Sequence, residues 1–428
     1  MESQVLIVGA GIFGISTAYH LAKRSSNPSN ITILDRASPP SGDAASTDIN
    51  KIVRADYSSS LYMELGFEAI EAWNNYPLFV NAGVYHQTGW IMMDEEKSDV
   101  AERIRANFRS SGRPDPTQDM TEDEVRGSWG GVLKDADLSR FGSYYFNPQA
   151  GWADAGRALR VMANEVIHMG VRYQVGEASR IVLAEGGVRG VETTAGDVYT
   201  ADKVLLSTGA WTSHLMAPVE DELKMAAHER IESQCSAAGV CVAHFQLSEA
   251  ERTLYDWLPV YVYGGDGEIL PPTASGILKF TTSNSFTNTI QTTTGHRISV
   301  PPMTNQQEVP KSLQTELIDA IRPRLPQLFT GNRKAEYYRL CWDAITPTQH
   351  PVITRHPRAE LSNLYLAIGG SFHCWKFLPT IGQYVANILN GTSNGPDRDE
   401  AWKWKQKPQG RGVHDKLIPT KELADYGG

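Results

Sequence analysis

Three glycines near the start of the chain, Gly9, Gly11 and Gly14, follow a short apolar run and are spaced to hold a phosphate group. Gly9 permits a tight turn, Gly11 lets the backbone approach a pyrophosphate, and Gly14 lets the following helix pack on the strand. A second apolar run ends at Asp35, whose carboxylate can bond a ribose 2′-hydroxyl and disfavours the 2′-phosphate of NADP. A glycine turn alone would fit many α/β proteins. Together, the runs, the turn and the acid predict a unit that binds a dinucleotide with its pyrophosphate at the helix N-terminus.

The elements that would position this site lie in separated parts of the chain. Apolar runs that end in glycine recur at residues 203–209 and 363–370. Such runs are typical of buried parallel strands, and we expect the first of them to lie beside the N-terminal strand. The pattern predicts a discontinuous dinucleotide-binding domain and a substrate domain, followed by a C-terminal tail. Their boundaries are 1–80, 148–220 and 330–395 for the first, 81–147 and 221–329 for the second, and 396–428 for the tail.

Composition and charge argue against several classes of protein. The 428 residues carry a formal net charge of −9, which disfavours nucleic acid as a partner because phosphate neutralisation needs a basic surface. No apolar stretch approaches the roughly 18 residues of a membrane span. The four cysteines include no CxxC pair, so neither a disulfide framework nor a metal site is expected. An apolar strand that begins at Gln4 leaves no room for a signal peptide, and the C-terminus lacks a peroxisomal signal, so we expect a cytoplasmic protein.

Seven motifs, spread over almost the whole chain, occur in an order that resembles one group of flavoenzymes. They are Gly9–Gly14, Asp48–Arg54, Gly151–Trp152, Ser207–Trp211, Gly276–Lys279, Leu340–Asp343 and Ser371–Gly382. Each is weak alone, but the ordered set is similar to the monomeric sarcosine oxidases and the amadoriases, or fructosyl amino acid oxidases. The resemblance implies FAD as the cofactor and a monomer. It also implies an α/β fold, in which a Rossmann-type FAD-binding domain of the glutathione-reductase kind accompanies an α+β substrate domain on a mixed sheet.

The resemblance assigns the central cofactor contacts to a cysteine and two lysines. Cys341 matches the cysteine that bonds through sulfur to the flavin 8α carbon, although cysteine is more commonly just a small buried thiol. Lys279 matches a lysine over the flavin that promotes reaction with oxygen by stabilising a developing anion, and an exposed lysine at a strand edge is the alternative. Lys51 matches a basic position beside the flavin. The remaining implied cofactor contacts are Gly9, Gly11, Ile12, Phe13, Gly14, Asp35, Arg36, Ser46, Gly209, Trp211, Gly370, Phe372, His373 and Lys376.

Two cations, Arg54 and Lys376, match the pair that binds the substrate carboxylate in sarcosine oxidases. A guanidinium fork and a compact ammonium that converge on one carboxylate would orient an amino acid over the flavin. With Lys279 and Lys51 they make up the catalytic residues that the resemblance implies. Further substrate contacts are predicted for Ser283, Cys374 and, in the tail, Arg411.

Alternative interpretations remain open for three of these residues. Arg54 could form a surface ion pair with Asp56 or Glu64. His373 could be a structural histidine whose ring is satisfied by neighbouring groups. Cys374 could serve packing alone.

The segment after Lys279 departs from both branches of the family. Four residues beyond this lysine, sarcosine oxidases carry a histidine and amadoriases carry a glutamate within an acidic pair, whereas residues 280–285 read Phe-Thr-Thr-Ser-Asn-Ser. The amadoriase glutamate helps to hold the sugar-bearing amine, so its loss argues against fructosyl amino acids and favours a less charged N-substituent. The tail, residues 396–428, resembles that of amadoriases, which closes over the substrate carboxylate. The resemblance therefore implies a tail that closes near the active site, and it argues for fructosyl amino acids.

The predicted function is an FAD-dependent oxidase of secondary amines derived from amino acids, with N-methyl or other N-substituents. A hydride would pass from the amine C–H bond to the flavin, oxygen would be reduced to hydrogen peroxide, and water would hydrolyse the imine; no general base is needed if the neutral amine binds. The partners would be a small-molecule amine and O₂. Four alternatives stay open: a fructosyl amino acid oxidase, an amine oxidase of a specialised alkaloid pathway whose imine or quinone methide cyclises, a flavin dehydrogenase that uses an electron carrier, and a non-catalytic flavoprotein or NAD-binding module.

Overall fold

The computed structural model describes residues 3–303, 308–406 and 417–427. The strands, in chain order, are β1 (Val5–Val8), β2 (Ile31–Asp35), β3 (Lys51–Val53), β4 (Tyr85–His86), β5 (Trp90–Glu95), β6 (Gln118–Met120), β7 (Phe141–Asn147), β8 (Gly151–Ala153), β9 (Arg172–Val175), β10 (Ala178–Ala184), β11 (Gly187–Thr193), β12 (Val198–Thr200), β13 (Lys203–Leu206), β14 (Ser236–Gln246), β15 (Val260–Tyr263), β16 (Glu268–Leu270), β17 (Ile277–Thr287), β18 (Thr289–Gln291), β19 (Arg297–Ser299), β20 (Tyr337–Ile345), β21 (Val352–Arg355), β22 (Leu364–Ile368) and β23 (Lys421–Glu422). The α-helices are α1 (Ile12–Ala22), α2 (Ser60–Asn75), α3 (Pro77–Ala82), α4 (Val100–Ser110), α5 (Glu122–Gly127), α6 (Ala155–His168), α7 (Thr212–Glu222), α8 (Glu249–Tyr255), α9 (Lys311–Ile321), α10 (Ile381–Leu389) and α11 (Pro396–Trp402).

Six strands form a mainly parallel sheet in the order β21-β22-β13-β1-β2-β9. Val5 and Ile7 of β1 belong to a core that includes α1, α6 and α10, whereas Leu6 and Val8 belong to a second core that includes α7 and the β10–β11 hairpin. A strand that is buried on both faces is apolar throughout rather than alternating, which explains the run at the start of the chain. The predicted neighbour is confirmed, because β13 pairs parallel with β1. β22 in turn pairs parallel with β13.

The glycine turn joins β1 to α1 in a very close approach of backbone to backbone. Gly9 has a φ of +101°, and a Cβ on it would lie 2.4 Å from the carbonyl oxygen of Ser207 at the end of β13. A Cβ on Gly14 would lie 1.9 Å from the carbonyl oxygen of Gly9. Any side chain at either position would therefore push the helix or the neighbouring strand away.

Nine strands form a second, mixed sheet in the order β20-β14-β17-β16-β15-β5-β7-β6, with β23 paired to β17. β14 and β17 are antiparallel, whereas β5 and β15 are parallel. The predicted α/β fold with a mixed sheet is confirmed. β20 lies in residues 330–395, which the sequence analysis assigns to the cofactor domain, yet it pairs with β14 of the mixed sheet along its whole length. We propose that the two sheets are the cores of the cofactor and substrate domains.

The described part of the tail returns to the mixed sheet. β23 pairs parallel with the end of β17, and the Ser285 hydroxyl donates to the carbonyl oxygen of Leu417 at 2.8 Å. The tail therefore ends on the strand that carries Lys279. Among the described residues, no helix combines the length and apolar character needed to cross a bilayer.

Candidate active site

A cavity opens at the carboxyl ends of β1, β13 and β22, where parallel strands commonly deliver ligand-binding loops. All but three of the predicted cofactor contacts line it; the exceptions are Gly14, His373 and Lys376. The residues that do line it are Gly9, Gly11, Ile12, Phe13, Asp35, Arg36, Ser46, Lys51, Gly209, Trp211, Cys341, Gly370 and Phe372. The structure thus gathers residues from five of the seven sequence motifs around one space.

Asp35 ties the second strand to the glycine turn. One carboxylate oxygen accepts a hydrogen bond from the backbone N of Ala10 at 2.7 Å, and the other accepts from Ala37 N at 3.2 Å. Burial raises the pKa of Asp35, although both bonds favour the ionised form. Next to it, the Arg36 guanidinium lies 4.4 Å from the ring centroid of Trp211.

Ser46 closes the cavity over the first turn of α1. Its hydroxyl accepts from the backbone N of Ile12 at 3.1 Å, and a Cβ on Gly11 would lie 2.9 Å from the same oxygen. The backbone at Gly9 and Gly11 therefore forms a floor that no side chain can occupy. This cradle, with Asp35 at one side, suits the diphosphate and ribose of a dinucleotide.

Cys341, on β20, lines the same cavity. Its thiol is buried, is free of any disulfide, and lies 4.0 Å from the Lys51 ammonium. The sulfur therefore faces the cofactor space from the mixed sheet, while the glycine turn faces it from the parallel sheet.

Lys279 is buried rather than exposed at a strand edge, and it meets an acid that sequence reasoning did not assign to the site. Its ammonium, 2% exposed, donates to the Asp48 carboxylate at 2.7 Å and to the carbonyl oxygen of Asn50 at 2.8 Å. Lys51 pairs with the same carboxylate at 3.1 Å. Asp48 could have been found from the sequence, because it begins the Asp48–Arg54 motif three residues before Lys51. Its position in the sequence does not, however, show that its carboxylate pairs with Lys279.

The three charges shift one another's ionisation. Burial opposes ionisation of Asp48, but the positive charges of Lys279, Lys51 and Arg339 together hold the pKa of its carboxyl well below the usual range. Burial lowers the pKa of Lys279, and the attraction of Asp48 only partly offsets it. The Asp48–Lys51–Lys279 cluster is therefore a buried charge network in which each lysine is fixed by one carboxylate.

Arg54 and Lys376 converge on Tyr57, which sequence reasoning also missed. The Arg54 guanidinium carbon lies 4.3 Å from the Tyr57 ring centroid and 4.5 Å from that of Trp90. The Lys376 ammonium donates to the Tyr57 hydroxyl at 2.7 Å and to the carbonyl oxygen of His373 at 2.5 Å. Burial, followed by the charge of Arg54, lowers the pKa of Lys376 far below its ordinary value. Arg54 and Lys376 are buried basic side chains that share one tyrosine, and a bound anion would stabilise their charged forms.

The surface ion pair considered for Arg54 is not what the structure shows. Arg54 is buried, and Glu64 instead pairs with Arg398 at 3.9 Å. Asp56 accepts from the Tyr145 hydroxyl at 3.1 Å and from the Asn147 amide at 2.9 Å. Burial raises the pKa of Asp56 to about 6, although the charge of Arg54 and these two bonds favour ionisation.

The raised pKa of Asp56 gives a testable dependence of stability on pH. A carboxyl whose pKa rises on folding stabilises the protein most at low pH, and this contribution falls as the pH increases from about 4 to about 6. Replacing Asp56 with asparagine removes the titration. The difference in the free energy of unfolding between variant and parent should therefore move by about 2 kcal/mol in favour of the variant between about pH 4 and pH 7. Urea unfolding at both values measures this change, and a constant difference would contradict it.

Two further predicted substrate contacts, Cys374 and Ser283, are buried side chains. Cys374 is buried with its sulfur 4.0 Å from His373 Nε2, and His373 Nε2 also bonds the carbonyl oxygen of Gln349 at 2.9 Å. Ser283 is buried on β17, where its backbone N donates to the carbonyl oxygen of Asp266 at 3.0 Å. Neither Cys374 nor Ser283 lines the cavity. Arg411 lies outside the described residues.

Comparison with known proteins supports the assignment of the cavity to a flavin dinucleotide. A family model for FAD-dependent oxidoreductases matches residues 4–388. The chain belongs to this family. The oxidoreductase is 26% identical over 447 residues to the L-saccharopine oxidase of Schizosaccharomyces pombe, in an alignment that covers 100% of this chain and 98% of the relative. It is 22% identical to the human peroxisomal sarcosine oxidase, with 90% and 91% of the two chains covered.

Solved structures give the same family. The amadoriase II of Aspergillus fumigatus, a fructosamine oxidase in complex with FSA, superposes with a TM-score of 0.82 at 28% identity, covering 98% of this chain and 94% of that one. The fructosyl peptide oxidase of E. terrenum superposes with a TM-score of 0.82 at 27% identity, with coverages of 99% and 97%. The predicted resemblance to sarcosine oxidases and amadoriases is confirmed, and FAD is the cofactor of this oxidoreductase family.

Proposed function

We propose that this oxidoreductase is an oxidase of secondary amines built on amino acids. The observation that carries the proposal is the pair of buried cations, Arg54 and Lys376, which meet around Tyr57. Buried cations of this kind need an anionic partner, and the carboxylate of an amino acid supplies one. Names of relatives such as L-saccharopine oxidase and sarcosine oxidase support the same substrate class.

The residues of the chain would divide the reaction between binding and charge stabilisation. FAD, when bound, supplies the acceptor for a hydride from the C–H bond beside the amine nitrogen. Arg54 and Lys376 would hold the carboxylate and thereby orient that bond. Lys279, fixed by Asp48, would place a positive charge where negative charge develops as oxygen is reduced to hydrogen peroxide. Hydrolysis of the imine would follow in water.

A second candidate function is the oxidation of fructosyl amino acids. It is favoured by the solved structures of the fructosamine oxidase and the fructosyl peptide oxidase, which superpose on nearly the whole chain. The absence of an acid from residues 280–285 of the sequence disfavours it. A third, in which the imine or a quinone methide cyclises, would belong to a specialised alkaloid pathway.

A peroxide-coupled screen separates these functions. The purified oxidoreductase should release hydrogen peroxide with N-methyl amino acids or with secondary amines formed between lysine and a keto acid, and it should do so faster than with fructosyl amino acids. Preferred turnover of fructosyl amino acids would assign the protein to the second function. Turnover only with an artificial electron acceptor would make it a dehydrogenase.

We further propose that Cys341 bonds covalently to the flavin. Acid-precipitated parent protein should keep its flavin absorbance in the pellet, whereas Cys341→Ser should release FAD into the supernatant. Cys241→Ser is the matched control, because Cys241 is also buried. It lies on β14 opposite Leu340, the residue that precedes Cys341 in the chain. Free FAD released from the denatured parent would rule out the covalent bond.

A further inference from the structure

The residue opposite Thr281 in the mixed sheet is Glu268, at the start of β16. The register pairs Leu270 with Lys279 and Ile269 with Phe280, which places Glu268 across from Thr281. The backbone N of Glu268 donates to the Thr281 hydroxyl at 2.9 Å, and this hydroxyl donates to the Glu268 carboxylate. Residues two apart on a strand, and residues directly opposite on neighbouring strands, share one face of a sheet. Glu268 therefore lies on the same face as Lys279.

That face of the sheet contacts the segment that carries the lysine–aspartate cluster. Lys279 bonds Asp48 and the carbonyl oxygen of Asn50, and the Asn50 amide donates to the carbonyl oxygen of Pro271 at 3.0 Å, just after β16. Glu268 lies on the same face, two residues before Leu270, which is the residue opposite Lys279. Its negative charge also raises the pKa of Lys376, in opposition to the burial that lowers it, so the carboxylate lies within electrostatic reach of the carboxylate-binding cations.

The Glu268 carboxylate has spare capacity for hydrogen bonds. Within residues 3–303, 308–406 and 417–427, the Thr281 hydroxyl is its side-chain partner and it takes part in no ion pair. Arg324 interacts electrostatically with Glu268, whose charge opposes the lowering of the Arg324 pKa by burial, but it donates its hydrogen bonds to the carbonyl oxygens of Thr281 and Asp266. A carboxylate can accept several hydrogen bonds, and a partly buried one is less well stabilised when donors are missing.

We propose that Glu268 determines substrate specificity by accepting a hydrogen bond from a donor group on the substrate, remote from its carboxylate. The inference rests on the proposed function, since it takes Arg54 and Lys376 to hold the substrate carboxylate at the other end. The substrate class is thereby narrowed to amino-acid-derived amines that carry a second, donor-bearing group. An ammonium and a hydroxyl are the two sources of such a donor. The Glu268 carboxylate lies on the strand next to residues 280–285, which themselves carry no acid.

Binding of non-oxidisable analogues tests the proposal independently of turnover. Three alkylthioacetates of equal length, whose chains end in an ammonium, a hydroxyl or a methyl group, are titrated into the holoenzyme by calorimetry. The parent should bind at least one donor-ended analogue about tenfold more tightly than the methyl-ended one, because a bond to a charged acceptor is among the stronger hydrogen bonds. The arm that binds tighter identifies the donor.

The variant Glu268→Gln keeps the size of the side chain and removes its charge. The affinity of this variant for the donor-ended analogue should fall about tenfold, whereas its affinity for the methyl-ended analogue should equal that of the parent. A merely structural role of Glu268 would not produce this difference. Equal affinities of the parent for the three analogues, or an equal weakening of all three in the variant, would overturn the proposal. Failure of the proposed function would give a different result. The analogues would bind with this preference, but the corresponding secondary amines would release no hydrogen peroxide.

Discussion

Lys279→Met should slow the reoxidation of reduced flavin by oxygen about a thousandfold and leave anaerobic reduction by substrate largely intact. Transfer of the first electron to oxygen creates an anion, and a fixed ammonium in a buried site stabilises it far more than water-exposed charge would. A stabilisation of about 4 kcal/mol corresponds to roughly this factor in rate. Lys279 meets the requirement because it is 2% exposed and is anchored by Asp48 and by a backbone carbonyl.

Stopped-flow measurement of the two half-reactions checks this prediction. Lys51→Met is the matched comparison, since Lys51 bonds the same carboxylate at 3.1 Å but is more exposed. In Lys279→Met, Asp48 retains Lys51 as a partner, which limits the cost of an unpaired buried charge. If Lys279→Met reoxidises at the parent rate and Lys51→Met does not, the oxygen-activating role belongs to Lys51.

Lys376→Met should weaken binding of an amino acid substrate by about 2 to 5 kcal/mol, in part because the substrate carboxylate loses a partner inside a buried site. A matched amine that lacks the carboxylate should be a poor substrate of the parent and should lose much less in the variant. The comparison needs steady-state kcat/KM for the acid and its decarboxylated partner with both proteins.

Lys203→Met is a control for the loss of a partly buried lysine. Lys203, in the parallel sheet, donates to the carbonyl oxygen of Leu389 and not to Tyr57 or His373, which are the partners of Lys376. It should not alter the ratio of kcat/KM for the two substrates. If the decarboxylated amine is the better substrate of the parent, Arg54 and Lys376 do not bind a carboxylate and the protein oxidises uncharged amines.

The sequence was sufficient for the parts of the fold that depend on local pattern. The apolar runs of β1, β13 and β22 end in glycines, and the structure aligns them side by side. Helix α2 spans Ser60–Asn75, the range that its apolar spacing indicates. Helix α4 begins at Val100, and the polar residue Glu95 before it belongs to β5, where it pairs with Phe141. A polar residue at the end of a strand gives no local signal of such pairing.

The candidate site divides in the same way. Residues in motifs, such as Cys341, Lys51 and Gly11, could be placed around one cavity from their order alone. Tyr57 and Glu268 could not be placed in this way, because their roles depend on contacts between distant segments. Tyr57 bonds Lys376, 319 positions away, and Glu268 shares a face of the sheet with Lys279 because of the pairing of β16 with β17. Non-local contacts of this kind leave no trace in the spacing of neighbouring residues.

The register of β14 has a consequence for how such an enzyme could change substrates over evolutionary time. Val240 lies opposite Cys341 on one side of β14, and His244 lies opposite Lys279 on the other, so one rigid ladder fixes the separation of the sulfur and the ammonium. Glu268 lies on the next strand outward, beyond this ladder. Mutations on that outer strand could retune which amine is accepted while the redox half of the enzyme keeps its geometry. Redox chemistry and substrate choice would then be free to evolve at different rates within a single sheet.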